Sequence, residues 1–483
     1  MTETVKLDAA TLDEFAAEFN QHYEAKAYAE AYPYGIVLFD QGRREKSFLH
    51  HLASVSVFTN KRTPLLKRLR AWAEQPDADA IAHELIAGLV HHLGDEQENR
   101  EHALKYAQKN ALDHKLEYEP EHVRLRVVVL KTVASGVYNF NASKHSFNIP
   151  EGHNNLNGML APFINQYSVL VDDLEAAKAA IESLEHVDVI YNAITDPDRC
   201  ADALNNAAVL CDSFADIPVV NHPRAILETT RDNNYQRFHK NRHIIYPKNV
   251  KLPLVAEDCH AQITQAIVDN ELNYPVIVRL AGYQNGKNTH LIDSAHEQDF
   301  KDFDAVVTKN PKDIFLIEYI DVSFKDKRAP RVKLFPKFRA FFAGGKLYPI
   351  HMPVAANNYM VHVKTAEDTV KANPWLVERE KIYCRTPEKV VPVKLWKALE
   401  KTMSDADLEY IGVDFALDKD AEGNEGIVIF EMNAAMGNRM HDLSMGKHVR
   451  LAWQKTARRM HHVFCDKAGI PAWNFYLPID SQS

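Results

Sequence analysis

The chain has 483 residues, enough for two to four domains, and its 46% apolar and 25% charged content is typical of a globular protein. Its formal net charge of -9 argues against a general nucleic-acid binder, because such proteins present a basic face to phosphates. No apolar run approaches the roughly 20 residues that span a membrane, and the acidic start MTETVKLDAATLDEF does not resemble a signal peptide. Five scattered cysteines without a C-x-x-C pair predict reduced thiols, so we expect a cytoplasmic protein.

Residues 8 to about 120 are predicted to be helical. Thr11-Leu-Asp-Glu14 matches a capping box at a helix start. Apolar residues then recur at helical spacing: Ile81, Leu85, Ile86, Leu89 and Val90. No 34-residue repeat stands out, so a degenerate repeat array and a plain helical bundle both fit this part of the chain.

The pattern changes near Arg124, where LRVVVLKTVA predicts a buried strand of a parallel sheet. Two further strands, at 187–194 and 217–223, alternate with helices at 171–184 and 196–214. Alternation of strands and helices at this spacing predicts an α/β layer.

Mixed elements follow, beginning with a basic helical stretch at 224–242. The helices predicted after it are 257–269 and 295–303, and the strands are 275–279 and 314–319. Residues 332–352 are predicted to form a hairpin that turns at Ala-Gly-Gly-Lys, 343–346. A long helix at 444–466 carries charges that are typical of a solvated face: Lys447, Arg450, Lys455, Arg458 and Arg459.

The most informative stretch runs from Tyr410 to Met436, YIGVDFALDKDAEGNEGIVIFEMNAAM. Asp414 interrupts an apolar strand, and Glu431 and Asn433 end a second apolar strand two residues apart, which places them on one face. The polar loop between the strands predicts a hairpin that brings the three side chains together. Two carboxylates and an amide oxygen suit magnesium shared with phosphates. Taken alone, the same residues also fit a strand end and an ordinary loop without a metal.

Two strands carry cations in apolar surroundings, and a buried cation needs an anionic partner. Arg279 ends the strand YPVIV and is followed by the glycine loop AGYQNGKN with Lys287, an arrangement that suits a nucleotide phosphate. A structural ion pair explains Arg279 equally well. Arg339 lies in the apolar strand KFRAFFA, two residues after Lys337, and its planar guanidinium suits a phosphate, so we expect it to be functional.

Two more segments are candidates for ligand contacts. Glu318-Tyr319-Ile320 ends the strand IFLIEYI and could offer backbone groups to a nucleobase and a carboxylate to its ribose, although most strand-terminal glutamates are solvated. Asn438 and Arg439 follow the Glu-x-Asn strand, in a loop where contacts to phosphate or substrate are expected. No G-x-S-x-G, H-E-x-x-H or P-loop motif occurs, which removes the simplest hydrolase, metalloprotease and P-loop interpretations.

Taken in chain order, these features resemble the ATP-grasp superfamily over roughly residues 186 to 440. They are an α/β domain ending in VVNHP, a cation strand with a glycine loop, an IEYI segment, an arginine strand, an aspartate strand and Glu-x-Asn. The stretch KFRAFFAGGKLYPIHMPVAANNYMVH is similar to ATP-grasp proteins with an N-terminal helical, tetratricopeptide-like region. Arg231 and Arg279 stand where the family usually has lysines.

The resemblance implies a combined α/β and α+β architecture in four parts. They are an N-terminal α-helical domain at 1–122, a Rossmann-like pre-ATP-grasp α/β domain at 123–223, ATP-grasp subdomain A at 224–320, and subdomain B with the C-terminal helix at 321–483. ATP would then lie between the two ATP-grasp subdomains.

The resemblance also implies roles for individual residues. ATP would contact Arg231, Arg279, Lys287, Glu318, Tyr319, Ile320, Lys337 and Arg339. Magnesium, with manganese as the alternative, would be held by Asp414, Glu431 and Asn433. The catalytic residues would be Arg279, Arg339 and Asn438.

The implied activity is that of an ADP-forming ligase, which activates a carboxylate as an acylphosphate for attack by an amine. The alternatives are a phosphotransferase on the same fold and a nucleotide-binding protein that acts through a helical partner-binding domain. We expect a small-molecule or peptide substrate and neither a nucleic-acid nor a membrane partner. The N-terminal helices are the candidate surface for a homodimer or a protein partner.

Overall fold

The computed structural model describes residues 6–475, with gaps at 77, 136–137, 149–151, 155, 157–158, 254–258, 282–285, 287, 310–312, 420–424, 438–441 and 443–444. Within these ranges, no helix combines the length and the apolar character needed to cross a membrane.

The N-terminal part is a bundle of helices that bury apolar side chains against one another. Its helices are α1 (Ala9–Glu24), α2 (Tyr28–Asp40), α3 (Lys46–Phe58), α4 (Arg62–Ala73), α5 (Ala80–Val90) and α6 (Glu96–Lys109). The capping box predicted at Thr11 is wrong, because α1 begins earlier. Asp8 is the N-cap, and its Oδ1 accepts a hydrogen bond from the backbone N–H of Thr11 at 2.8 Å.

A buried histidine makes this bundle sensitive to pH. His83 of α5 lies beside His102 of α6, with 3.0 Å between their Nδ1 atoms. Burial first, and then the neighbouring charges of His102 and Lys105, lower the pKa of His83 to about 4. In the unfolded chain the pKa returns to 6.5, so the unfolded state binds more protons between pH 4 and 6.5. The free energy of unfolding therefore falls as the pH falls through this window.

Replacing His83 by glutamine is expected to remove this part of the pH dependence, which amounts to about 2 to 3 kcal/mol between pH 6.5 and 4. The measurement is the free energy of unfolding in urea at several pH values, compared with the parent. The exposed His114 provides the control variant, His114→Gln, which should keep the parental slope. A His83 variant with the parental slope would contradict the expectation.

An α/β layer follows the bundle. Its elements are β1 (Leu112–Leu116), β2 (Leu125–Lys131), β3 (Asn139–Asn141), β4 (Ser146–Asn148), β5 (Ile164–Leu170), α7 (Leu174–Glu182), β6 (Val189–Asn192), α8 (Ala201–Ser213) and β7 (Val219–Val220). The sheet has the order β1-β5-β2-β6-β7, in which β1 is an antiparallel edge strand and the other strands are parallel. The strand predicted after Arg124 and the alternation with helices are confirmed.

Two strands of this sheet differ from the sequence prediction. β1 lies inside the stretch up to about residue 120 that was expected to be helical, and it forms a strand because it pairs with the edge of the sheet at β5. β5 itself was not predicted.

Along the chain, β3 and β4 lie between β2 and β5. They form a hairpin that joins the α/β layer to the helical bundle. Nδ1 of His145 at its turn lies 2.6 Å from the Tyr23 hydroxyl and 2.9 Å from the Ser54 hydroxyl. Phe147 packs on α5 at Gly88, where a Cβ atom would come within 2.2 Å of the phenyl ring. Only glycine therefore allows this close approach.

The remaining chain begins with a four-stranded antiparallel sheet and the helices around it. The elements are α9 (Pro223–Leu227), α10 (Arg231–Phe238), β8 (Ile244–Ile245), β9 (Asn249–Leu252), α11 (Cys259–Asp269), β10 (Val276–Leu280), β11 (Thr289–Ile292), α12 (Glu297–Lys309) and β12 (Ile314–Glu318). The sheet has the order β11-β10-β12-β9, and with α11 and α12 it encloses an apolar core of its own.

A second, five-stranded sheet has the order β15-β14-β17-β18-β8. The last elements of the chain are β13 (Leu334–Pro336), β14 (Phe338–Ala343), β15 (Lys346–His351), β16 (Val354–Ala356), α13 (Val363–Ala372), α14 (Pro374–Arg385), α15 (Val393–Ser404), β17 (Tyr410–Lys419), β18 (Glu425–Asn433) and α16 (Lys447–Ala468). The hairpin predicted to turn at 343–346 is confirmed as β14 and β15.

The C-terminal helix α16 is more deeply buried than its charges suggest. Trp453 and Phe464 lie in the core that also contains the sheet of β15, β14, β17, β18 and β8. Arg450 is also buried, and Nε of Arg459 donates to the carbonyl oxygen of Gly344 at 2.8 Å. The prediction of a solvated basic face is therefore wrong for Arg450, and Arg459 is half-buried. The other three basic residues of the predicted face are exposed: Lys447, Lys455 and Arg458.

Candidate active site

Charged side chains form a row across the centre of the sheet that consists of β15, β14, β17, β18 and β8. Arg339 of β14 lies opposite Asp414 of β17. Asp414 lies in turn opposite Glu431 of β18, and Asn433 follows two residues later. The hairpin of β17 and β18 therefore brings together the residues predicted from the Asp and Glu-x-Asn strands.

The strands are irregular on both sides of this row. Phe430 is an extra residue of β18 between the partners of Asp414 and Phe415. Ile350 is an extra residue of β15 beside Arg339. Such β-bulges change the direction of neighbouring side chains and occur often beside active sites.

Asp414 is bound by two cations. Its Oδ1 accepts a hydrogen bond from Nε of Arg339 at 2.7 Å, and its Oδ2 accepts one from Nη2 at 2.7 Å. Nζ of Lys337 lies 3.1 Å from the same Oδ2. Burial alone would raise the pKa of the Asp414 carboxyl, but Arg339 and Lys337 outweigh burial and hold this pKa well below its usual value. Asp414 is therefore ionised at neutral pH.

Glu431 is bound by Arg231, a different cation from the two that bind Asp414. Nη2 of Arg231, in the first turn of α10, donates to its Oε1 at 2.5 Å. Burial again favours a raised pKa, but Arg231 and Arg279 together lower the pKa of Glu431 below its usual value. Burial and the charge of Arg231 lower the pKa of Arg279 to about 10, so this side chain is still charged at neutral pH.

A cavity of about 520 Å³ separates the two sheets, which is a volume typical of small-molecule sites. Both sheets contribute to its wall, together with the segment after β12. Ten residues predicted to contact nucleotide or metal line this cavity: Arg231, Arg279, Glu318, Tyr319, Ile320, Lys337, Arg339, Asp414, Glu431 and Asn433. The three other predicted residues, Lys287, Asn438 and Arg439, lie outside the described part of the chain.

The segment 318–320 connects the four-stranded sheet to the rest of the cavity wall. Glu318 is exposed, and its Oε2 accepts a hydrogen bond from the backbone N–H of Lys248 at 3.0 Å. The ring of Tyr319 meets that of Tyr359 edge-on, with 5.8 Å between the ring centroids. The two tyrosines form an aromatic wall next to the exposed carboxylate.

Among the residues of the cavity wall that sequence reasoning missed are His153, Tyr359 and His362. Tyr359 and His362 end the stretch quoted for its family resemblance, which was their only signal. Burial, with the charge of Lys337 added, lowers the pKa of His362. His153 comes from the α/β layer, where its Nε2 accepts from the backbone N–H of Thr132 at 3.0 Å. No local pattern marks it, because tertiary structure alone brings it to the cavity.

No protein-family model and no curated protein matches this sequence. Solved structures do match. The D-alanine–D-alanine ligase from Bacillus anthracis, in complex with ATP, is 12% identical, with a TM-score of 0.38 over 71% of this chain and 100% of that chain. The VanG D-Ala:D-Ser ligase from Enterococcus faecalis is 11% identical, with a TM-score of 0.39 over 71% of this chain and 99% of that chain. The ATP-grasp ligase PsnB, in complex with the precursor peptide PsnA2 and AMPPNP, is 10% identical, with a TM-score of 0.37 over 72% of this chain and 99% of that chain.

These three proteins are ligases, and PsnB is an ATP-grasp ligase. At these identities the likeness concerns the fold alone.

The row offers oxygen atoms that fit magnesium. Asp414, Glu431 and Asn433 present carboxylate and amide oxygens, which are the hard ligands that this ion prefers. Oδ1 of Asn433 accepts a hydrogen bond from the backbone N–H of Ala435 at 3.0 Å. This hydrogen bond holds the amide group in one orientation. Within the described ranges no group of three His, Cys, Asp or Glu side chains is arranged to hold a metal.

Proposed function

We propose that the protein is an ATP- and magnesium-dependent ligase that activates a carboxylate as an acylphosphate for attack by an amine. The observation that carries the proposal is the row of Arg339, Asp414 and Glu431, which shares one cavity with the segment 318–320. Cations and oxygen ligands side by side suit a magnesium-bound triphosphate. A connecting segment that ends a strand at the cavity wall suits a nucleoside.

In the proposed complex, one part of the cavity wall contacts the nucleoside and another part contacts the phosphates and magnesium. Segment 318–320 would contact the nucleoside, with the Glu318 carboxylate at the ribose. Arg231, Arg279 and Lys337 would bind phosphate oxygens, because each presents a cationic donor to the same cavity. Asp414, Glu431 and Asn433 would hold magnesium, which when bound offsets charge on the phosphates.

The proposed reaction has two steps. The bond between the γ-phosphorus and its bridging oxygen breaks, ADP leaves, and the substrate carboxylate forms a new bond to phosphorus. Arg339 would offset the negative charge on the transferring phosphoryl group. The amine then attacks the acyl carbon, phosphate leaves, and the amine proton passes to solvent. The two sheets on either side of the cavity would limit the access of water to the acylphosphate.

The products test this function. Candidate acids and amines, including amino acids and short peptides, are incubated with ATP and magnesium, and ADP, phosphate and adducts are quantified. A ligase forms ADP, phosphate and amide in equal amounts. A phosphorylated product without free phosphate would indicate the phosphotransferase instead. A folded protein that binds no ATP in any mixture would contradict both.

Replacing Arg339 by methionine is expected to weaken nucleotide binding by about tenfold to a hundredfold, because a charged, two-pronged donor is lost from the phosphate side. Calorimetric titration with AMPPNP and magnesium measures the affinity. The exposed Arg242 provides the matched control, since Arg242→Met removes the same group outside the cavity. Equal affinities of the Arg339 variant and the parent would place the phosphates elsewhere.

A further inference from the structure

The strand β15 is irregular where it runs beside Arg339. Ile350 is the extra residue of this β-bulge and interrupts the regular pairing of β14 with β15. Arg339 alternates with Phe338 along β14. The Arg339 side chain therefore lines the cavity, while the Phe338 ring packs against Tyr383 of α14 on the other face of the sheet. The helix α14 thus lies directly behind the bulge.

Two side chains of α14 donate hydrogen bonds to carbonyl groups at the bulge. The Tyr383 hydroxyl donates to the carbonyl oxygen of Arg339 at 3.0 Å. The Cys384 thiol donates to the carbonyl oxygen of Ile350 at 3.2 Å. Tyr383 is completely buried, so the loss of its hydroxyl would leave a carbonyl group without a donor in a place that water does not reach, which is costly. The two hydrogen bonds therefore favour one conformation of the bulge.

Glu380 lies on the same face of α14, three residues before Tyr383, and binds both the strand and a second helix. Its Oε1 accepts a hydrogen bond from the backbone N–H of Met352 at 2.8 Å, and His351 contacts the same oxygen. Its Oε2 lies 2.7 Å from Nε2 of His448, in the first turn of α16. Burial alone would raise the pKa of the Glu380 carboxyl, but the two histidines outweigh burial and hold this pKa well below its usual value. Glu380 is thus an ionised link between β15, α14 and α16.

We propose that α14 is a brace for Arg339: it holds the bulge so that the guanidinium points into the cavity, and Tyr383 and Glu380 are its positioning residues. Asp414 binds the tip of the Arg339 side chain, and the brace fixes the backbone from which this side chain extends. Neither positioning residue is among the described residues that line the cavity. The inference rests on the proposed function in one respect, because the direction of Arg339 affects nucleotide binding only if phosphates bind beside it. Groups that bind a reacting ligand must be held to within roughly 0.5 Å.

Replacing Tyr383 by phenylalanine tests the proposal, because it removes only the hydroxyl and keeps the ring against Phe338. Nε–H of Arg339 gives a nitrogen–proton NMR signal, which is identified by its loss in Arg339→Met. This proton is hydrogen-bonded to Asp414, and in the Tyr383 variant it is expected to exchange with water about threefold to tenfold faster than in the parent. AMPPNP with magnesium is expected to bind about threefold to tenfold more weakly.

Tyr106→Phe is the matched control. Tyr106 is also a buried tyrosine, and its hydroxyl donates to Oδ1 of Asp113 at 2.6 Å, between α6 and β1. The control should lose stability in urea as the Tyr383 variant does, but it should leave the exchange of the Arg339 proton and the affinity for AMPPNP at the parental values. A merely structural role of Tyr383 would make the two variants alike in all three measurements and would overturn the inference.

The outcomes separate this inference from the proposed function. Parental exchange of the Arg339 proton in the folded Tyr383 variant would overturn the inference, and so would faster exchange with an unchanged affinity for AMPPNP. If the folded parent binds no AMPPNP, the proposed function fails, while the exchange rate still decides whether α14 fixes Arg339. Glu380→Gln keeps an acceptor oxygen for Met352 but loses the charge, and it serves as the second variant, with the same expected changes, if Tyr383→Phe does not fold.

Discussion

If the proposed function is right, replacing Glu431 by glutamine is expected to lower ATP turnover by about a hundredfold to a thousandfold while the fold is kept, because the proposed metal ligand loses its charge at the phosphoryl group. Glutamine has the shape of glutamate, and its carbonyl oxygen can still accept the hydrogen bond from Arg231. The measurement is ADP release with an acid and amine pair that the parent accepts, together with the magnesium dependence of AMPPNP binding.

The control for this variant is Glu388→Gln, which makes the same change at an exposed position. It should leave turnover and magnesium dependence at the parental values. Normal turnover by the folded Glu431 variant would remove Glu431 from the proposed metal site.

Replacing Asp414 by asparagine is expected to lower the free energy of unfolding by about 2 to 3 kcal/mol, because Arg339 and Lys337 then lose their shared anion in a poorly screened place. An added anion can substitute for the lost carboxylate, so inorganic triphosphate is expected to stabilise the variant more than the parent. Urea unfolding with and without triphosphate measures both effects.

Asp418→Asn is the matched control, because Asp418 lies on the same strand, four residues beyond Asp414. It should change stability little and respond to triphosphate as the parent does. An Asp414 variant with parental stability would show that the two cations do not depend on this carboxylate.

Much of the candidate site could be predicted because the local pattern indicates the strands that carry its residues. The apolar runs around Asp414 and Glu431, separated by a polar loop, predict a hairpin. A regular hairpin would place Asp414 opposite Phe430, and the β-bulge at Phe430, which the sequence does not reveal, brings Glu431 opposite Asp414 instead. Arg339 is recognisable for a related reason, since a guanidinium on an apolar strand requires an anion. That anion is Asp414 on the neighbouring strand.

β5 could not be predicted, because its burial is hidden by polar residues. Asn165 and Ser168 are 5% and 4% exposed, yet both are polar and interrupt the apolar run. Their partners come from other segments: Asn165 accepts from the backbone N–H of Tyr118 at 2.9 Å, and Ser168 from Nζ of Lys131 at 2.7 Å. A buried polar side chain with a distant partner leaves no periodic signal in its own strand.

The hairpin of β3 and β4 has a consequence for how this chain can be divided. It leaves the α/β layer, inserts Phe140 and Phe147 among the N-terminal helices, and returns to the part of the layer where His153 lines the cavity. Removal of the helices would expose two phenyl rings to water and leave His145 without Tyr23 and Ser54. The predicted boundary near residue 122 falls after β1, which already belongs to the α/β sheet. Because the hairpin packs among the helices, we expect the helices and the α/β layer to stabilise each other rather than to fold as separate units.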